Sequence, residues 1–388
     1  MFIRNKNENR AFLLKNLGWA EMLVALLPIL GAYYLGPVPF SFWILLLLPI
    51  VTLFKGNIHL HRLLLPLELF FVYWFVHELI LVGFVADLNL NKRIEQFVSV
   101  FSILLIVPLL DLKRLTASLN LVSVICIIGL LYQLTIVNAG GVVHPLEIPG
   151  LKMTEARLEG ESIRPSSFFM EPAAYTAYMY APLMLSLINR KYWWSSILTI
   201  AMLLTTSTTA FFAAFIIWVV FLFSRGVIKR GNFIIIVIVA VLFYAFNHLS
   251  IFDTGREKLN NTDFETNVRI VQGPVVVSTM HWDEMIFGVP YGDIGDYYSA
   301  GRTQGKNVLV FGDSIYMSTT WALIFSFGIV GLLLYINVYY RLAKQCRLLL
   351  PYLVCLFVSM FTSSMYIGVT YVYTIIVLYV VATHLKPE

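Results

Sequence analysis

Charge is scarce in this sequence. Asp, Glu, Lys and Arg together make up 13% of the 388 residues, about half the share of an ordinary soluble domain. The hydrophobic share is 59% and the mean hydropathy is +0.80. So few charges cannot clothe a water-exposed surface of this size, which excludes a soluble enzyme. The wealth of aliphatic and aromatic side chains excludes a disordered chain. Cysteine is nearly missing: Cys126, Cys346 and Cys355 all lie in or beside apolar runs, so no disulfide framework is expected. There is no Walker loop, no nucleotide-fold glycine fingerprint and no Ser/His/Asp set. Nor is there a low-complexity segment or the two-half repeat that marks many transporters.

Apolar runs dominate what remains. They fall at about 17–35, 39–54, 64–84, 94–110, 115–137, 172–188, 194–207, 209–224, 232–251, 314–340, 348–364 and 367–384. A spanning helix needs roughly 20 apolar residues. The pattern predicts an all-α polytopic membrane protein with about twelve transmembrane helices, residues 1–388 forming a single integral membrane domain. The short runs near 39–54 and 194–224 fit tilted spans or tight hairpins. The first 16 residues are polar and basic, and no small-residue cleavage site follows the first run, which therefore reads as a retained span.

Charge placement tests this layout. With the N-terminus inside and the runs alternating, inside segments hold 17 of the 27 basic residues, among them Arg62, Lys113, Arg114, Arg190, Lys191, Lys229, Arg230 and Arg341. Such an excess is the positive-inside rule at work, and an even span number puts Lys386 inside as well. The net charge of +5 carries the same meaning and does not point to nucleic acid. Two outside segments stand apart, at 138–171 and 252–313, and hold most of the Gly, Asp and Glu of the chain. Long loops are usually functional. The apolar spacing at 264–287 predicts a short helix lying on the membrane surface.

The strongest local signal is Arg164-Pro165-Ser166-Ser167-Phe168-Phe169-Met170-Glu171-Pro172, leading into an apolar run. Pro172 suits the first position of a helix, so Glu171 sits just before it, its carboxylate favoured by the helix N-terminus. Arg164 can fold back over the same spot. An arginine fork matches phosphate oxygens and a carboxylate can take a hydroxyl proton, so the pair suits a reaction with a hydroxyl nucleophile and a phosphate leaving group. A loop salt bridge before an ordinary helix start fits the same residues. Asn267-Val268-Arg269 supplies a second arginine, which fits either a phosphate clamp or a side chain snorkelling to headgroups. Asp313, before another span, is a second candidate base or a helix N-cap. The Phe327-Gly328-Ile329-Val330-Gly331 stretch marks a turn within that span. Thr205 to Thr209 reads as an outer hairpin turn or as a source of interhelical hydrogen bonds in lipid.

Other polar residues are less directive. Glu21 and Glu68 lie near cytoplasmic span ends, where they can snorkel. His77-Glu78 lies deeper and fits either a shared cavity with Arg164 and Glu171 or interhelical bonding. His281-Trp282-Asp283-Glu284 lacks metal-ligand spacing, so no metal or other cofactor is expected. Trp282, Tyr291, Tyr297 and Tyr298 offer flat faces to sugar rings or belong to an interfacial aromatic belt.

Taken in order, the Arg164–Pro172 stretch, the Thr/Ser turn, Asn267-x-Arg269 and the Asp313…Gly328-x-x-Gly331 span resemble the O-antigen ligase/polymerase superfamily over roughly residues 160–335. The Phe-Phe-Met-Glu-Pro arrangement is similar to that of Wzy-type polysaccharide polymerases. Thr208 stands where ligases usually carry Arg, and Gly312-Asp313-Ser314 where they tend to carry His-Asn, which turns the resemblance away from the ligases. The resemblance implies a GT-C-like membrane glycosyltransferase of a bacterial cytoplasmic (inner) membrane, acting on its outer face. Its partners would be a polyprenyl-diphosphate-linked oligosaccharide, membrane lipid and a chain-length regulator protein. It implies catalytic Glu171 and Asp313, diphosphate contacts from Arg164, Arg269, Arg157 and Arg302, and sugar contacts from Trp282, Tyr291 and Tyr298. A ligase passing glycan to another acceptor and a lipid-oligosaccharide flippase remain alternatives.

The topology is open to direct measurement. A cysteine introduced at Ser299 is expected to react with an impermeant maleimide from outside, and one at Arg230 is not. The reverse pattern would overturn the layout.

Overall fold

The computed structural model describes residues 17–36, 38–54, 62–82, 90–153, 164–224, 244, 248, 268–289, 297, 301, 310–311, 314–315, 317–362 and 368–385. Eleven of the twelve apolar runs are helical, and the remaining one, 232–251, falls almost wholly outside the described residues. The first five helices are α1 (Trp19–Leu30), α2 (Phe40–Phe54), α3 (Leu65–Val82), α4 (Leu90–Ile106) and α5 (Leu112–Asn138). Next come α6 (Pro172–Ile188), α7 (Tyr192–Leu204) and α8 (Thr208–Ser224). Two helices, α9 (Val268–Val277) and α10 (Trp282–Phe287), lie in the second long loop, and α11 (Thr319–Gln345), α12 (Leu350–Thr362) and α13 (Val369–His384) follow it. Among the described residues three segments are long and apolar enough to cross a membrane: Arg62–Ile80, Leu112–Asn138 and Thr319–Gln345. The architecture is all-α and compatible with a membrane protein.

The core is built around α13. Every residue from Tyr371 to Ala382 is buried, as expected of a helix that is apolar on all sides. It packs against α1, α4, α5, α6 and α11. The Tyr373 ring stacks on Tyr178 of α6, centroids 5.4 Å apart, and its hydroxyl donates to the Tyr178 carbonyl at 3.2 Å. On the other side Tyr371 stacks on Tyr335 of α11 at 5.3 Å. Cys126, Cys346 and Cys355 are buried and form no disulfide.

α5 has 27 residues, a rod of about 40 Å. Its start is capped by the Asp111 carboxylate, which accepts the Arg114 N–H at 2.9 Å. The Asp111 N–H, which has no partner within the helix, donates to Glu21 Oε1 at 3.0 Å. Glu21 is therefore not a snorkelling residue: it is 4% exposed and ties α1 to the α4–α5 turn.

A small antiparallel sheet sits beyond the end of α1. β1 (Tyr33–Leu35) lies between β2 (Val38–Pro39) and β3 (Lys152–Met153), with Tyr34 opposite Pro39 and Tyr33 opposite Met153. The outer strand comes from the 138–171 loop, which thus folds back onto the exit of α1.

The largest departure from regularity is in α11. It begins at Thr319, with Ser318 at the cap position, several residues later than the apolar run suggests and well past Asp313. The expected turn is a break at Gly328, with φ 65° and ψ −173°. That conformation is open to glycine and costly for other residues. A Cβ there would strike the Ile286 carbonyl, and one on Gly288 (φ 90°) would come within 2.5 Å of the Phe327 nitrogen. The two glycines let the end of α10 lie against the broken helix. Carbonyls released by the break are taken up: Val289 N–H donates to Phe325 O at 2.7 Å, and the Tyr73 hydroxyl lies 2.8 Å from Phe327 O; the same hydroxyl lies 2.9 Å from Phe287 O at the end of α10.

In place of the single surface helix expected over 264–287 there are two helices packed on α11, with Gly273 against the Trp321 ring. Ser278 and Thr279 hydroxyls bond back to the Val275 and Val276 carbonyls at 2.7 and 2.6 Å. Such local bonds compete with helix continuation and separate α9 from α10. A second pair of strands, β4 (Val310–Phe311) and β5 (Ser314–Ile315), precedes α11.

Gly328→Ala combines backbone strain with a clash. We expect it to cost about 1–3 kcal/mol or more, seen as a lower Tm in detergent. Gly36→Ala isolates the backbone contribution, because Gly36 has φ 69° but nothing within 4 Å of an added Cβ. Its loss should be smaller, about 1 kcal/mol. Equal losses would refute the packing role of Gly328.

Candidate functional site

The Arg164–Glu171 stretch is a strap laid over α5. It lies close because Gly129 of α5 has no side chain: an added Cβ would come 2.6 Å from Ser167 Oγ and 2.8 Å from Leu146 Cδ1. One side chain of α5 holds it. Gln133, 1% exposed, accepts the Ser166 and Ser167 N–H groups on Oε1 at 2.9 and 2.6 Å. Its Nε2 donates to His144 O at 2.7 Å and to Ser167 O at 3.3 Å. Ser166 Oγ donates to Phe169 O at 2.7 Å, closing the turn in which Ser167 adopts φ 57°. The first long loop joins through Leu146, whose N–H donates to Ser167 O at 2.8 Å. Tyr33 in turn donates to Leu146 O and accepts from the Ile148 N–H, each at 3.1 Å.

The two ends of the strap differ. Arg164 is half-buried, and its Nη1 donates to the Thr206 carbonyl at 3.3 Å. Thr206 lies in the α7–α8 turn with φ 54°, so two signals distant in sequence, the strap and the Thr/Ser turn, meet in space. This hairpin is further tied by the Trp218 indole, which donates to Thr199 Oγ1 at 2.9 Å. At the other end Pro172 occupies the first helical position of α6, as expected, and Glu171 is the exposed residue before it. Its carbonyl accepts the Ala174 and Tyr175 N–H groups at 3.1 and 3.3 Å. Its carboxylate makes no capping hydrogen bond to the helix. Glu is one methylene longer than the side chains that cap well. The strap thus presents a carboxylate at one end and a guanidinium at the other, on a backbone fixed by buried hydrogen bonds.

The remaining candidates are less closely placed. Arg269 lies at the start of α9, with its side chain outside the described residues. Arg157, Arg302, Tyr291, Tyr298 and Asp313 also lie outside them. Trp282 opens α10 and is 75% exposed, a flat face open to a ligand or to lipid. Tyr297 is instead buried: its ring meets Phe325 edge-on at 5.2 Å and its hydroxyl lies 3.2 Å from Thr279 Oγ1. Glu284 is engaged at the α10 start, accepting the His281 N–H at 2.7 Å. Among the described residues no three His, Cys, Asp or Glu side chains converge. His77 packs its ring 6.1 Å from Phe327, beside the α11 break, and Glu78 Oε1 accepts the Trp74 indole N–H at 3.2 Å.

Sequence reasoning missed Gln133. Its only signal was that it is one of two carboxamides, with Asn120, within the apolar run 115–137, a residue type that needs a partner in such surroundings. No protein-family model matches the chain, and no curated protein matches it.

Strap packing and strap polarity separate by substitution. Gly129→Ala drives a methyl into Ser167 and Leu146, and overpacking of this kind costs about 1–3 kcal/mol. Arg164→Ala removes a bond at a half-exposed edge, worth about 1 kcal/mol. Thermal melts in detergent should show the larger drop for Gly129→Ala. The opposite order would mean that the strap is anchored by Arg164 and not by its seat on α5.

Proposed function

We propose that this protein is a GT-C-like membrane glycosyltransferase with about twelve spans. In this reading it joins polyprenyl-diphosphate-linked oligosaccharide repeats on the outer face of a bacterial cytoplasmic membrane, as Wzy-type polymerases do. The observation that carries the proposal is the fixed strap, with Glu171 exposed at the mouth of α6 and Arg164 set against the α7–α8 turn.

The chemistry follows from the two groups. Nucleotide sugars are not available outside the cytoplasm, so the leaving group is carried on lipid. The acceptor hydroxyl oxygen attacks the anomeric carbon of the donor. The bond from that carbon to the phosphate oxygen breaks, its electron pair stays on the lipid diphosphate, and the hydroxyl proton passes to Glu171. Arg164, joined by Arg269 and by Arg157 and Arg302, meets the charge that gathers on the diphosphate. Preorganised cations achieve this without a metal. Asp313 is the second candidate base, and Trp282, Tyr291 and Tyr298 are the proposed sugar platforms.

One observation favours a transporter instead. The α11 break at Gly328 lies beside Tyr73, about midway along α3, and broken helices within the bilayer mark transporter sites.

Loss of the gene, followed by sizing of the lipid-linked glycan, separates the readings. A missing polymerase leaves single repeats, a missing ligase leaves long chains on the carrier lipid, and a missing flippase leaves no outer glycan. For the polymerase we expect single repeats, restored to polymer by the parent chain and not by Arg164→Ala or Arg269→Ala. Arg→Lys at either position should be impaired less, because Lys keeps the charge without the fork. Glu171→Gln should lose about 10²–10⁴-fold in rate, while Glu171→Asp retains part of it. With purified protein and synthetic lipid-linked repeat, polymer should still form in EDTA. Normal polymer from Glu171→Gln would move the base to Asp313 or the His77-Glu78 pair. Normal polymer from both Arg→Ala variants would refute the diphosphate clamp.

A further inference from the structure

We infer that Gln133 is the positioning residue of the strap, setting where Arg164 and Glu171 stand. The functional half of this inference rests on the proposed polymerase site, and the geometric half does not. Gln133 lies inside α5, in the run Leu130-Leu131-Tyr132-Gln133-Leu134, and is 1% exposed. A carboxamide in such a place is costly unless its polar atoms are paired. All of its bonding capacity is spent on the loop: Oε1 takes two consecutive N–H groups, from Ser166 and Ser167, and Nε2 gives to the His144 and Ser167 carbonyls.

No other side chain of this size serves all four. Two adjacent N–H groups converging on one point form a small donor concavity, which a carboxylate would also fill. A carboxylate has no hydrogen for the two carbonyls, and leucine serves neither set. The need for an external splint is clear from Ser167, whose φ of 57° is disfavoured for any residue with a Cβ. Ser167 Oγ is itself buried without a hydrogen-bond partner, so the strained residue is not held by its own side chain, and within the turn only Ser166 Oγ, donating to Phe169 O, supplies a side-chain tie. Arg164 lies two residues before the clamped pair and Glu171 four residues after it. Releasing the clamp frees both ends of the strap, although Gln133 touches neither.

The test uses the full-length protein in native membranes. Ser167 is fully buried, so Ser167→Cys reports opening of the strap to an impermeant maleimide, with the chain lacking this reporter as the background. Combined with Gln133→Leu, labelling should accelerate about tenfold or more, as loss of several buried hydrogen bonds implies. Gln133→Glu, which keeps the acceptor for both N–H groups, should label at an intermediate rate. In the gene-deletion strain, polymer should fall in the order Gln133, Gln133→Glu, Gln133→Leu at equal protein in the membrane. A merely structural role would not give this graded rescue at constant protein level. If Ser167→Cys stays protected beside Gln133→Leu, the inference is overturned. If labelling rises but polymer is unchanged, Gln133 does hold the strap, and the strap is not the site of glycosyl transfer.

Discussion

A backbone N–H or C=O that leaves a helix in apolar surroundings must find a partner inside the protein, because no solvent is there to take it. In this chain the helices satisfy most of their own groups, so the exceptions stand out. The strap over α5, the turn between α7 and α8 and the break in α11 each carry a residue at positive φ: Ser167, Thr206 and Gly328. Each is met by a side chain from a distant part of the sequence. Gln133 serves the first, Arg164 the second and Tyr73 the third. Much of the tertiary organisation outside the helix-packed core can be read as the pairing of these three irregularities.

The consequence is a rigid backbone whose end carboxylate, Glu171, is not buried. Between Arg164 and Glu171 the backbone is pinned from below by Gln133 and from the side by the Leu146–Tyr33 link. Glu171 itself stays exposed. Electrostatic stabilisation of a leaving group depends on groups that do not have to reorganise when charge develops. A strap of this construction meets that condition better than an unsupported loop of the same composition.

The α11 break plays a different part. It lets the second long loop reach the bundle, since Gly288 and Gly328 permit a contact that a Cβ on either would forbid. α9 and α10 are consequently packed elements, with Val276 fully buried and Phe325 beneath Tyr297. The start of α9, where Arg269 stands, is thereby carried on a supported helix.

The sequence by itself determined the class of structure and most of its element boundaries. Apolar runs are a local property, and a run of that composition has few alternatives to a helix; Pro172 announced the start of α6 for the same local reason. The α7–α8 turn was legible in its hydroxyls, and the α11 turn in its glycines. The partners were decided only by the tertiary structure. Nothing in the local sequence says that Arg164 meets Thr206, that Glu21 turns inward to Asp111, or that Tyr297 is packed away from solvent. Gln133 was the most informative omission, because a single carboxamide has no periodicity and no spacing motif. Its role exists only once the loop 33 residues further on has folded back over it. Pairing over such separations depends on which helices pack together, and a one-dimensional pattern does not encode that directly.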